Sequence, residues 1–592
     1  MIESLLKIGE LELQNGQQMN EVTSQIKNFD GKYFIKVIFD CNESKVDFDR
    51  KEIGPNIYAE YYWVDNNPSN LPQYRVTTNQ LKYVIGFDKK GEKVKPHKFI
   101  LEALKKRLEE QKEKKEFNDL IEMISKVLSW YKKDPQQLEI KKEYWKDSLY
   151  TIVIKTNGNM VELAKHPAYL DLLKQEFTTG GQEIYEGKAS CQFCGSQKVL
   201  KDPSYPAGKV LKIYNVDKKG FISRFGETVD SYLSTHTICP SCRNKIYAGL
   251  NYIEKKLQIT TGKLNAFIFP YAVNLDRKSL QKLELDGNGW FIQEDKIKEL
   301  QETLKDLFEK FQFTVVYGKR EQNKFRYYKS IVDVPVTRLV EIAKIANKIK
   351  NEFSASFRIK IDLNLGSLYR VLPLKLENPQ RFLEAVESMV DSIPIKKDNL
   401  LREFLSMLKC IRYASCEARY DNAPHNLDDF TLVQTTLIQV GFIKLLYELG
   451  LMETVKVSSA LSNSIDKDIV RFMEYTQLTD KQKALFLLGV LIAEIGRAQY
   501  KKGDHKKSIL DKINFEGMPR EKVMALANRI VQSLRNYNIL VNNEGVYSEM
   551  MKLLTYVIKD LNDPVENTYY ILAGYSYQTN KILIGGNQNE RS

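Results

Sequence analysis

Residues 191–194 read CQFC and residues 239–242 read CPSC. Each pair offers two thiolates from one tight turn, and two such turns facing each other supply the tetrahedral four-sulfur set that zinc prefers. Gly195 follows the first pair and Pro240 sits inside the second, which suits a knuckle whose backbone must aim amides and sulfurs toward one ion. Cys191, Cys194, Cys239 and Cys242 are therefore expected to hold one structural Zn2+. With four thiolates the coordination sphere is closed to water and substrate, which argues against a hydrolytic zinc. His236, three residues before Cys239, is the alternative ligand, and a redox disulfide is the alternative use of the paired cysteines.

Between Cys194 and Cys239 lie 44 residues, more than the roughly 15–20 of a compact zinc ribbon, so the knuckle fastens an elaborated loop. That loop carries Lys198, Lys201, Lys209, Lys212, Lys218, Lys219 and Arg224, with Tyr205, Tyr214, Phe221 and Phe225 interleaved among them. Cations alternating with aromatic rings suit phosphate contact and stacking on unpaired bases. The alternative is that the rings pack the knuckle while the lysines solvate it.

On the N-terminal side, KYFIKVIFD at 32–40 and the runs Tyr58–Val64, Tyr83–Phe87 and Leu149–Lys155 are rich in aromatic and β-branched residues and are expected to be strands. Lys98–Trp130 carries apolar residues at helical spacing and predicts one long helix or a helical pair. On the C-terminal side, LNAFIFPYAV at 264–273 and FQFTVVYG at 311–318 predict buried strands, and DGNG at 286–289 a hairpin turn. VPVTRLVEIAKIANKIKNEF follows, with Leu339, Ile342, Ile345 and Ile349 on one helical face.

From about Asn378 onward strand signals fade and helical patterns run almost to the end. ALFLLGVLIAEIG at 484–496 is apolar nearly all round and is expected to be a buried central helix, with Gly489 and Ala493 admitting a close neighbour. ILIGGNQNERS at 582–592 reads as a loose tail. The expected fold is multidomain α+β: an N-terminal α/β region with a four-cysteine zinc-knuckle insertion and a C-terminal all-helical bundle. Its expected divisions are 1–180, 181–255, 256–376 and 377–592.

The chain has 592 residues, 43% hydrophobic and 28% charged, a globular balance too long for one core. Its net charge of +13, from 89 Lys plus Arg against 76 Asp plus Glu, favours phosphate-rich partners. The N-terminus MIESLLKIGELELQNG reads as an amphipathic helix rather than a signal peptide, and no run approaches the roughly 18 apolar residues of a membrane span. The expected location is the cytoplasm, with no membrane partner. Cys41, Cys410 and Cys416 lack ligand spacing and are expected to be reduced thiols.

No phosphate-binding GxxxxGK[ST], no dinucleotide GxGxxG and no HExxH is present. VDFD at 46–49 and LDD at 427–429 are the acidic groups that would serve a two-metal nuclease. KKGDHKK at 501–507 is a second basic corner, with Lys501, Lys502, Lys506 and Lys507 as further candidates for nucleic-acid contact.

The order of features, namely a short N-terminal helix, an α/β core, CQFC…CPSC, DVPVTRLVEIAKIANKI at 333–349, LFLLGVLIAEIGRAQY and ENTYYILAGYSY, resembles the large subunit of type I-B CRISPR Cascade complexes. The resemblance implies a non-enzymatic subunit that joins CRISPR RNA, the other backbone subunits and double-stranded target DNA. It implies recognition of the target-flanking motif, stabilisation of the R-loop with its displaced single strand, and a complex that recruits a helicase-nuclease. It also implies a C-terminal region similar to the separate small subunit, which can start internally; Met389, Met452 and Met473 are candidate starts. The alternatives are a stand-alone zinc-containing nucleic-acid enzyme such as a nuclease, and a basic structural zinc protein acting on protein partners.

Overall fold

The computed structural model describes residues 1–13, 29, 31–54, 57–63, 75–110, 117–138, 140–179, 184–186, 189–201, 210, 236–272, 275–283, 311–321, 324–415, 420–453, 461–462, 464–503 and 509–589. The chain forms two compact units, Ile2–Tyr205 with Tyr214–Tyr252, and Pro206–Ile213 with Ile253–Ser592.

The first unit is built on a sheet of order β2-β1-β3-β4. β1 (Tyr33–Asp40) pairs antiparallel with β2 (Lys45–Glu52) and parallel with β3 (Ser148–Thr156), which pairs antiparallel with β4 (Asn159–Glu162). A parallel pair needs a crossover, and this one includes the helices Ile100–Glu109 and Asn118–Trp130, so the charge-laced stretch is a helical pair. Its apolar stripes, including Leu104, Ile124 and Val127, join Phe34, Val37, Phe39, Ile152 and Ile154 in one core. At the β1–β2 turn the Asp40 carboxylate accepts from Asn42 N at 2.9 Å and from Lys155 Nζ at 2.7 Å.

Two expected strands are absent. Of Tyr58–Val64, residues 58–63 form the end of the short helix Ile57–Glu60 and a turn with Tyr62 at φ 52, and Val64 lies outside the described residues. Tyr83–Phe87 lies mostly in the helix Leu81–Ile85, which closes on Gly86 at φ 82. Both runs are short enough for packing to override β propensity. The VDFD group sits instead on β2, where Asp47 and Asp49 pair with Lys45 and Lys51 at 3.4 Å each.

A short hairpin, β5 (Ile184–Glu186) with β6 (Lys198–Leu200), precedes the helix Pro240–Lys256. The second unit then opens on an antiparallel sheet of order β10-β9-β8-β7. Its strands are β7 (Gln258–Thr261), β8 (Leu264–Tyr271), β9 (Gln312–Glu321) and β10 (Lys324–Pro335). The expected DGNG turn lies outside the described residues. The helix Val336–Phe357 follows, burying Leu339, Ile342 and Ile349.

Beyond it the described chain is helical, as expected. Asp480–Lys501 is buried nearly all round and packs on Pro564–Asn589. Their backbones meet at paired glycines: a methyl on Gly489 would lie 2.0 Å from the carbonyl oxygen of Ile571, and one on Gly574 would lie 1.9 Å from that of Phe486. Helix Pro564–Asn589 runs through most of the segment expected to be a loose tail. Glu566, buried at the start of this helix, accepts from Lys397 Nζ at 2.7 Å and Gln482 Nε2 at 2.8 Å and pairs with Lys481.

Asp429–Glu448 is, among the described residues, the one helix long and apolar enough to cross a membrane; 78% of its apolar window is buried inside the fold, the behaviour of a core helix. Asp428 of the LDD group caps it, accepting from Thr431 N at 2.7 Å, and Asp429 pairs with Arg412 at 3.2 Å. Cys41 is a free thiol. Cys410 is disulfide-bonded rather than reduced; the chain turns back at its helix end, with Ser415 N–H donating to the Cys410 carbonyl at 3.0 Å. Cys416 lies outside the described residues.

Candidate metal centre

The hairpin β5–β6 delivers the first knuckle. Cys191 N–H donates to Ser196 O at 2.8 Å and Gly195 N–H returns to Cys191 O at 2.9 Å, with Gly195 at φ 75. That left-handed backbone is open to glycine at little cost, and it closes the turn so that Cys191 and Cys194 face the same side. The amide of Ser196 points at Cys194 and holds its thiol below the usual range.

The second knuckle is a helix start. Cys239 immediately precedes the helix Pro240–Lys256, and proline suits a first helical position because its missing N–H is not needed there. Arg243 N–H donates to Cys239 O at 3.0 Å, the first turn of the helix, while Cys242 N–H donates to Cys239 Sγ at 3.3 Å. The sulfur thus occupies the place of a capping oxygen, at the helix end where the backbone dipoles favour negative charge. Two backbone bonds join the knuckles: Gln192 N–H to Thr237 O at 3.2 Å, and Leu200 N–H to Ile238 O at 2.9 Å.

All four sulfurs lie within 4.8 Å of one another, and Cys194 and Cys239 approach to 3.5 Å. Cys191, Cys239 and Cys242 are buried and Cys194 is exposed. Burial pushes the Cys239 and Cys242 thiols up, and for Cys242 the crowding of its sulfur neighbours adds to it. Four thiolates cannot share so small a volume without a cation to offset their charge, so the donor set fits a metal ion that deprotonates its ligands on binding. Among the described residues this is the one cluster of three or more His, Cys, Asp or Glu side chains close enough to hold an ion. His236 is not part of it: its Nδ1 sits 2.9 Å from Gln192 Nε2, its ring packs edge-on to Phe193, and burial lowers its pKa.

The helix that starts on Cys239 also seats the N-terminal helix Ile2–Leu13. A methyl on Gly9 would lie 1.7 Å from Lys245 O, and one on Gly249 would lie 2.2 Å from Leu5 O. Lys245 Nζ meets Glu10 Oε1 at 3.0 Å and holds that carboxyl below its ordinary range. The cysteine cluster and the helix Ile2–Leu13 are therefore fixed to one rod.

Of the basic candidates, Lys198 is exposed on β6 and Lys201 is half-buried just after it. Lys209, Lys212, Lys218, Lys219 and Arg224 lie outside the described residues, as do Lys506 and Lys507. Lys501 and Lys502 are exposed at the end of helix Asp480–Lys501, with Lys502 Nζ 4.9 Å from the ring centre of Tyr537. A basic cluster in the first unit, around Lys89–Lys98, escaped the sequence reading; the signal was DKKGEKVKPHK at 88–98, five lysines about a Gly turn.

Three family models match the chain in order. The N-terminal domain of CRISPR-associated protein TM1802 matches residues 1–175, its central domain matches 188–334, and its C-terminal domain matches 363–589. No curated protein matches the chain. The central match contains all four cysteines, the C-terminal match contains the glycine-paired helices, and the three together span nearly the whole sequence: the chain belongs to the CRISPR-associated protein TM1802 family.

Proposed function

We propose that this protein is the non-enzymatic large subunit of a type I-B CRISPR RNA-guided surveillance complex in the cytoplasm. In this role it recognises the target-flanking motif and stabilises the R-loop. The observation that carries the reading is the ordered match of all three domains of one CRISPR-associated family along the chain. Its partners are CRISPR RNA, double-stranded target DNA with its displaced strand, the other backbone subunits, the small subunit and the recruited helicase-nuclease.

The cysteine cluster holds Zn2+ in this reading, with Cys191, Cys194, Cys239 and Cys242 as its ligands. Bound there, zinc supplies a cross-link between two turns and no reaction chemistry, since four sulfurs fill its shell. The exposed Lys501 and Lys502, with the lysines of the loop between the knuckles, contribute phosphate contacts of the kind that hold a displaced strand.

The test is reconstitution of the complex with and without this chain, on labelled target carrying or lacking candidate flanking motifs. The reading expects flanking-motif-dependent opening of the duplex only when the chain is present, with the strands intact in Mg2+ until helicase-nuclease is added. Cleavage of single- or double-stranded substrate by the purified chain with Mg2+ or Mn2+ would instead establish the nuclease alternative.

A further inference from the structure

Residues 88–98 form a rigid, strongly basic turn on the first unit. Phe87 bridges Lys93, Asp88 N–H donates to Glu92 O at 3.0 Å, Gly91 N–H returns to Asp88 O at 3.0 Å, and Val94 N–H donates to Gly86 O at 2.9 Å. Gly91 takes φ 82 at the tip. The turn's one aspartate is spent on its own backbone, its carboxylate accepting from Lys90 N at 2.8 Å and Glu92 N at 3.0 Å.

Lys89, Lys90, Lys93 and Lys95 are exposed and Lys98 is half-buried. The lysines elsewhere on this unit commonly have carboxylates, as in Lys133 with Glu102, Lys165 with Glu60 and Lys126 with Glu122. Among the described residues none of the five turn lysines is in an ion pair.

The tip is seated against a second basic stretch. A methyl on Gly91 would touch Pro135 at 3.1 Å, and Lys89 Nζ lies 5.8 Å from the ring centre of Trp145. Beside that ring Lys141, Lys142 and Lys146 are exposed, again without an ion pair among the described residues. The one carboxylate within 141–146, Glu143, is paired with Arg50 at 3.2 Å. Two segments 40 or more residues apart in sequence thus meet with their cations outward; of their acids Asp88 and Glu143 are engaged, which leaves the exposed Glu92 among five lysines of the turn. Holding so many like charges together costs free energy through mutual repulsion, which a polyanion laid across them would offset.

We infer that the turn 88–98 and the segment 141–146 form one binding surface for the phosphodiester backbone of a nucleic acid. The inference rests on the proposed nucleic-acid role and adds a site in the first unit, distinct from the cysteine loop and from the Lys501 corner. Lysines act there as point charges toward phosphates, without base selectivity.

The test uses the purified full chain, with binding of labelled single-stranded RNA, single-stranded DNA and duplex DNA of one sequence followed by fluorescence anisotropy over a salt series. Lys90→Gln, Lys93→Gln and Lys95→Gln combined are expected to weaken binding about tenfold or more, and to lower the slope of log affinity against log salt by about 2–3 on the strand that lies there. The same three positions changed to Arg are expected to keep both. The probe whose slope falls identifies the strand as RNA or DNA. If wild type binds and the triple Gln variant matches it on every probe, or if the Arg variant loses binding as fully as the Gln variant, the inference is overturned while the proposed function stands. If wild type binds none of the probes, both fall.

Discussion

The Sγ atoms of Cys194 and Cys239, 45 positions apart in the chain, lie 3.5 Å from each other. One sulfur comes from a glycine-closed hairpin turn and the other from the cap position of a helix, so two unrelated local structures converge on one point. Convergence of this kind suits a common ligand, and the backbone bonds between the two turns, Gln192 to Thr237 and Leu200 to Ile238, hold them in register.

His236 stands apart from that cluster, held by Gln192. His236→Ala is therefore expected to leave metal content unchanged, at one ion per chain by mass spectrometry of the native protein. Loss of the ion in this variant would mean that the coordination sphere is not the four-cysteine set.

The N-terminal helix depends on glycine at its crossing with the knuckle helix. Gly9→Val would drive a side chain into the backbone at Lys245. Such overpacking costs about 1–3 kcal/mol or more, enough to lift the helix from its seat. Hydrogen exchange should accelerate across Ile2–Leu13 while β1 and β3 stay protected; unchanged exchange in that helix would contradict the packing described.

In the helical bundle, Glu566 is the buried carboxylate to which Lys397, Lys481 and Gln482 all donate. Burial alone would raise its pKa, but the two ammonium groups outweigh it and hold the value at about 2 against an ordinary 4.5. The folded-state pKa is depressed, so the stabilisation is fully present above about pH 4.5 and is lost as pH falls from there through about 2. It amounts to about 3 kcal/mol at neutral pH. Glu566→Gln should cost about 3–5 kcal/mol near pH 7, and urea unfolding at stepped pH should show the gap to wild type closing below pH 4.5. A gap independent of pH would contradict this.

The same pair bears on internal initiation. Of Met389, Met452 and Met473, only the first lies before Lys397 and the core helix Asp429–Glu448. A shorter C-terminal product of the intact gene is expected to begin at Met389, which intact-mass measurement reads directly. A product beginning at Met452 or Met473 would lack both the Lys397–Glu566 pair and that core helix, and finding it would show that the bundle folds without them.

Much of this was legible in the sequence because the physical signal was local. KYFIKVIFD and LNAFIFPY are short runs dense in aromatic and β-branched residues, the composition of a buried strand, and CQFC with CPSC states its own chemistry. β2 was not legible, since six of the eight residues of KVDFDRKE are charged and the segment is held as an edge strand by its register with β1. Tyr58–Val64 and Tyr83–Phe87 misled in the opposite direction: their composition favours strands, and tertiary packing made them helix and turn. The basic surface at 88–98 was invisible for a different reason. Its lysines look like any solvated stretch until the fold brings Trp145 beside Lys89 and engages Asp88 and Glu143 elsewhere.

In the proposed role the four cysteines close one structural zinc centre on which nucleic-acid binding depends. The direct measurement is metal content and target affinity of Cys194→Ser combined with Cys242→Ser, made on the same preparation as wild type. Zinc is expected to fall from one per chain to none, with weakened binding of target DNA and no change in any cleavage activity. Unchanged zinc content together with unchanged affinity in the double variant would contradict it.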